Sequence, residues 1–120
     1  MKYIKLFEEI QPKKYYKVVT QDMKSLGLRR NPNIMTFEVG KWIYEKPENN
    51  DRTSNDFGGI WVAQSLSGAK SLIKYLKKKA IKENKPELNN CRLFEVEIGE
   101  ILYQNSYRVK TDKVKFIKEL

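Results

Sequence analysis

Histidine is absent from this 120-residue chain, and cysteine occurs once, as Cys91. Without histidine no Ser-His or Cys-His nucleophile can be assembled, and the commonest general base near neutral pH is missing. Any catalysis must rest on carboxylates, Lys, Tyr or a cofactor. A single cysteine permits no internal disulfide and, with no histidine beside it, no tetrahedral zinc site. That usage suits a reducing compartment. No apolar run reaches the ~20 residues of a membrane-crossing helix, and Met1-Lys2-Tyr3-Ile4-Lys5 lacks the apolar core and cleavage site of a secretory signal. The expectation is a soluble protein with no membrane association, not exported by that route. A glycine-rich phosphate loop is missing too, since Gly58-Gly59 is too short to form one.

What the chain has is positive charge. Lys and Arg number 24 against 15 Asp and Glu, giving +9 at pH 7 and a pI near 9.6. Such a field attracts phosphate backbones, anionic lipids or acidic proteins without choosing among them. Hydrophobic residues at 40% and aromatics at 12% supply enough apolar surface to offset chain entropy, so one folded domain over 1–120 is expected.

The pattern reads as α+β: a single mixed or antiparallel sheet with one main amphipathic helix over about 67–84 and a short N-terminal helix. Ile4, Leu6, Phe7 and Ile10 give the N-terminal helix before Pro12. Tyr15–Thr20 is aromatic and β-branched and reads as a strand, with a helical turn over Met23–Leu26 stopped by Gly27. Met35–Val39 and Lys41–Tyr44 read as paired strands around Gly40, and Glu45–Gly59, aperiodic and polar, as a mobile loop. Ile60–Ala63 is the next strand. Ser65 or Ser67 then caps the main helix, in which Ala69, Leu72, Ile73, Leu76 and Ala80 form one apolar stripe before Pro86. Arg92–Ile98 alternates Phe94, Val96 and Ile98 with Glu95 and Glu97, the pattern of a half-buried strand. Ile101–Tyr103, Tyr107–Val109 and the alternation from Val114 onward suggest a last hairpin.

Three groups of side chains carry candidate chemistry. Lys70, Lys74, Lys77, Lys78 and Lys82 on the main helix, with Arg29 and Arg30 in a turn-rich loop, can bind phosphates or simply solvate the surface. Aromatic residues, Trp42 and Trp61 among them, can stack on a base or pack into the sheet. Glu95 and Glu97 share one strand face, where paired carboxylates can do acid and base work or merely face water.

Tyr16-Lys17, Asp22-Met23-Lys24-Ser25-Leu26-Gly27, Phe37-Glu38-Val39-Gly40-Lys41, Gly59-Ile60-Trp61 and Phe94-Glu95-Val96-Glu97-Ile98-Gly99, in that order, resemble a family of small uncharacterised phage proteins. That family carries a Cys and a His around the segment matching Gly59–Val62, where this chain has Trp61. The strands at Tyr15–Thr20, Ile60–Ala63 and Glu95-Val96-Glu97 also resemble the ADP-ribosyltransferase fold. That resemblance implies NAD as cofactor and Glu97 or Glu95 as the catalytic acid, with Tyr16, Lys17 and Trp61 as cofactor contacts. Lys17 stands where that family has Arg or His, and Ile60-Trp61-Val62 where it has Ser-Thr-Ser or Tyr. Met1–Ile10 is similar to the leaders that direct proteins into the proheads of T4-like phages, so the segment 1–12 reads as either a helix or a leader.

The leading expectation is a nonenzymatic phage accessory protein, with an anti-defence role as one form. It would act in the host cytoplasm or be packaged in the virion, needs no cofactor, and binds nucleic acid or an acidic host protein through the basic helix. An NAD-using transferase and a small-nucleotide-binding protein are the alternatives.

Overall fold

The computed structural model describes residues 13–26, 34–45 and 59–120. The expected N-terminal helix or leader, Arg29, Arg30 and nearly all of the expected mobile loop lie outside these. The strands are β1 (Tyr15–Val19), β2 (Trp42–Tyr44), β3 (Ile60–Ala63), β4 (Arg92–Ile98), β5 (Ile101–Gln104), β6 (Arg108–Thr111) and β7 (Lys113–Glu119). Among the described residues one α-helix, α1 (Leu66–Lys82), follows β3, and a 3-10 turn, Pro86–Leu88, precedes β4. All seven strands form one sheet, ordered β2-β7-β4-β1-β3-β6-β5 with every paired neighbour antiparallel. Among the described residues, no helix is long and apolar enough to cross a membrane.

The strand order and the connections together require the sheet to curl. Three strands separate β6 from β7 in the order, which in a flat sheet is roughly 19 Å at ~4.8 Å per strand. Yet Asp112 alone joins them, and one intervening residue spans at most ~7 Å. The segments 92–104 and 108–119 are therefore two long strands of one bent hairpin, each running from one half of the sheet into the other. At the bend the Gly99 amide donates to the Lys113 carbonyl at 3.0 Å and the Glu100 amide to Asp112 Oδ1 at 2.8 Å. The Thr111 hydroxyl donates to the Glu100 carbonyl at 2.7 Å. A Cβ on Gly99 would collide with Asp112 Oδ1 and lie 2.5 Å from Lys113 Cγ, so a larger residue here would displace both side chains. The last hairpin expected from the sequence is thus longer than its pattern suggested.

Curling gives the sheet an inner and an outer face. Tyr15, Val19, Ile60, Val62, Phe94, Val96, Val109, Val114 and Phe116 fill the inside. Phe37 closes it, stacked 5.0 Å from Phe116, whose ring also lies 5.0 Å from Phe94. On the outer face Val18 and Leu93 meet Ala69, Leu76 and Ala80 of α1, together with Leu88. The expected apolar stripe is therefore the helix seam.

Local chemistry sets the ends of α1. Ser65, in extended conformation, caps it and accepts from the Gly68 amide at 3.1 Å. Asn84 adopts φ 52°, and the Lys85 amide then donates to the Ala80 carbonyl at 2.9 Å. This is a left-handed C-terminal closure with Asn in glycine's usual place. The helix ends at Lys82, two residues short of the expectation, because this closure acts before Pro86.

Two other expectations change. Met35–Val39 is no strand: it makes isolated bridges at Thr36 and Val39, because Phe37 turns into the core while Gly40, at φ 84°, bends the chain. Met23–Leu26 is no helical turn either. Lys24 bridges Thr36 and the Phe37 amide donates to the Met23 carbonyl, so this segment pairs along the 34–37 segment.

Candidate ligand cleft

β1 and β3 are neighbours that share one register pair, Tyr16 with Ala63. β1 aligns with β4 along its whole length, and β3 with β6 likewise. The sheet is zipped on both sides of this junction and loose at it. Lys17 enters the gap from β1, and its Nζ donates to the Trp61 carbonyl at 2.7 Å. A side chain thus satisfies a carbonyl on β3 next to the loosely paired junction.

A cleft of ≈ 770 Å³ opens there. Tyr16, Lys17 and Val18 of β1 and the strand β3 form its floor, and Ser25, Met35 and Phe37 one wall. The first turns of α1 and the flank bearing Ser71, Leu72, Tyr75 and Lys79 form another, and the turn Ser106–Arg108 makes the rim. Gln64 pins that turn: its amide nitrogen donates to the Asn105 carbonyl, while its oxygen accepts from Lys13 Nζ at 2.8 Å and Gln104 Nε2 at 3.2 Å.

The electrostatics of the cleft are one-sided. Among the described residues no Asp or Glu lines it, whereas Lys17, Lys79 and Arg108 do. Burial pushes the Lys17 amine down to about 8 from its ordinary 10.5. The Phe37 ring lies 5.5 Å from its Nζ, and among the described residues no carboxylate pairs with it. Lys79 by contrast is matched by Glu83 at 2.6 Å, and their hydrogen bond raises the Lys79 pKa and lowers that of Glu83. The N-terminus of α1 carries no acidic residue in its first turn, so the positive end of its dipole stands uncompensated beside the cleft.

Aromatic surface lies on the same walls. The Arg108 guanidinium sits 4.1 Å from the Trp61 ring centre, and Tyr103 meets that ring edge-on at 5.8 Å. Tyr75 and Tyr107 are 53% and 81% exposed, so their ring faces are open to solvent at the cleft.

The structure brings Tyr16, Lys17 and Trp61 together, three residues the sequence offered as cofactor contacts. Glu95 and Glu97 do not join them. Neither lines the cleft: Glu95 stands beside it as the cross-strand partner of Tyr16 and pairs with Lys14 at 3.5 Å, and Glu97 is exposed opposite Lys115. Trp42 also lies elsewhere, on the edge strand β2 beneath the Lys113 ammonium at 4.7 Å. Cys91 is half-buried, its thiol donating to the Leu88 carbonyl at 3.2 Å and pushed up in pKa by burial.

Lys70, Lys74, Lys77, Lys78 and Lys82 are all exposed, and no ion pair engages them among the described residues. Helical geometry puts Lys70, Lys74 and Lys77 on the flank of α1 away from the cleft, with Lys78 and Lys82 pointing outward. Phe37, Arg108 and the serines around the cap were not singled out from sequence as cleft residues, whereas Tyr75 and Tyr107 belong to the aromatic residues offered there as stacking surfaces. Comparisons with protein-family models, curated proteins and solved structures find no match, so the cleft's own chemistry is what bears on function.

Proposed function

We propose that this protein binds a small phosphorylated ligand carrying a planar ring, of the nucleotide class, in the cleft between β1 and β3. Lys17 carries the reading. A buried ammonium with no counter-charge among the described residues costs stability, and an anion arriving with the ligand offsets that cost. The N-terminal end of α1 adds a second attraction for phosphate. Tyr75 and Tyr107 provide faces on which a base can stack, and the hydroxyls of Ser67, Ser71 and Ser106 suit a ribose. NAD belongs to this ligand class. With Glu95 and Glu97 outside the cleft, the geometry supports binding better than transfer.

The test is calorimetry and thermal unfolding against a panel of mono-, di- and trinucleotides and NAD. At 100 times the dissociation constant, a true ligand adds ~2.7 kcal/mol to stability. Lys17→Met should abolish the effect. No response to any nucleotide, or equal binding by the variant, overturns the reading.

One observation favours a second, independent activity. Lys70, Lys74 and Lys77 repeat at ~6 and ~4.5 Å along one flank of a helix held by a buried seam, so they present a fixed row of charges without acidic partners among the described residues. Such a row fits a nucleic-acid backbone. Binding should weaken steeply with salt, and Glu at all three positions should reduce it severely. Equal binding by that triple variant ends this second reading.

A further inference from the structure

We propose that the Lys17 amine is a covalent attachment site for aldehydes, forming an imine with a carbonyl compound that enters the cleft, and that phosphorylated aldehydes are its favoured class. The preference for phosphate rests on the anion-binding reading of the cleft. The imine does not.

Geometry prepares the reaction. The hydrogen bond to the Trp61 carbonyl fixes Nζ at 2.7 Å and uses one hydrogen, leaving the nitrogen lone pair of the neutral amine directed elsewhere. Phe37, 5.5 Å from Nζ, and Met35 on the same wall make the surroundings apolar, which favours the neutral amine and the loss of water. Among the described residues, the charged groups that line the cleft, Lys17, Lys79 and Arg108, are all cations. Neither Lys79, whose charge Glu83 matches, nor Arg108 stabilises an ammonium at position 17.

The step is balanced without redox chemistry. The lone pair attacks the carbonyl carbon, and the two amine hydrogens leave with the carbonyl oxygen as water, giving the imine. When that imine takes up a proton, it has one N–H, enough to keep the bond to the Trp61 carbonyl.

Burial supplies the reactive form. With the amine held at about 8, roughly a tenth is neutral at pH 7, against roughly 0.03% for an ordinary lysine at 10.5, a ~300-fold advantage in nucleophile. Lower basicity and a narrower approach reduce this, so selectivity of ~10-fold or more over exposed lysines is the expected outcome.

The experiment treats the full chain at pH 7 with pyridoxal 5′-phosphate or with benzaldehyde, traps imines with borohydride and maps adducts by peptide mass spectrometry. Lys17 should be labelled first by both reagents, at lower concentration by the phosphorylated one. Excess inorganic phosphate should slow only that one. Lys17→Arg, which keeps the charge, should remove this adduct and leave labelling at Lys70 and Lys74 unchanged. Labelling of Lys17 no faster than that of Lys70 and Lys74 overturns the covalent site, whatever nucleotides do. Selective labelling by benzaldehyde with no phosphate advantage upholds the covalent site and removes the anion preference.

Discussion

Replacing Lys17 with methionine removes a buried positive charge while keeping a flexible apolar stem of similar length. The gap between 10.5 and about 8, at ~1.4 kcal/mol per tenfold change in proton affinity, sets an upper bound of ~3 kcal/mol on what the ammonium costs the fold. Against this, the Trp61 carbonyl loses its donor, a penalty of ~1–2 kcal/mol. The unliganded variant should therefore be more stable at pH 7 by ~1–2 kcal/mol, or several degrees in Tm at this length. The pH dependence isolates the cause. Because the folded-state pKa lies below the unfolded one, the wild-type penalty is complete below about pH 8 and is relieved as pH rises toward 10.5. Between pH 7 and 9.5 the wild type should recover ~2 kcal/mol relative to the variant. Urea unfolding of both proteins at the two pH values measures this. A less stable variant at pH 7 with a pH-independent difference refutes the account of an uncompensated buried ammonium.

Gly59→Ala should destabilise by ~1–3 kcal/mol, since the backbone there has φ 73° and the new Cβ would lie 2.7 Å from Lys110 Cε; thermal unfolding reads it. Ser65→Ala removes the cap on α1 and should cost ~1 kcal/mol, with helical circular dichroism kept well below the melting transition. Leu76→Ala, in the seam between α1 and the sheet, should cost ~2–5 kcal/mol by denaturant titration. Changing Lys70, Lys74 and Lys77 to Glu should leave stability within ~1 kcal/mol and nucleotide binding in the cleft unaltered, as all three are exposed on the flank away from it.

Short-range pattern was enough wherever one neighbour decides the outcome. The stripe Ala69-Leu72-Ile73-Leu76-Ala80 could only be a helix seam, and Phe94 and Val96 alternating with Glu95 and Glu97 could only be a strand with one wet face. Met35–Val39 misled because its β-type composition is overridden by a tertiary event, the insertion of Phe37 against Phe116. The end of α1 misled by two residues because Asn84 can adopt a left-handed backbone that residue counting does not anticipate.

The amino-acid order by itself therefore determined the main helix, most of the strands, the net positive charge and the absence of histidine chemistry, since these depend on residue type and on periods of two or 3.6. Only the tertiary structure decided that Tyr16 and Lys17 meet Trp61, that Arg108 joins them, and that Glu95 and Glu97 do not. The reason is topological. The cleft exists because a bent hairpin carries 92–119 through both halves of a curled sheet, leaving β1 and β3 with a single register pair. Contacts between residues more than 40 positions apart have no local periodicity to announce them.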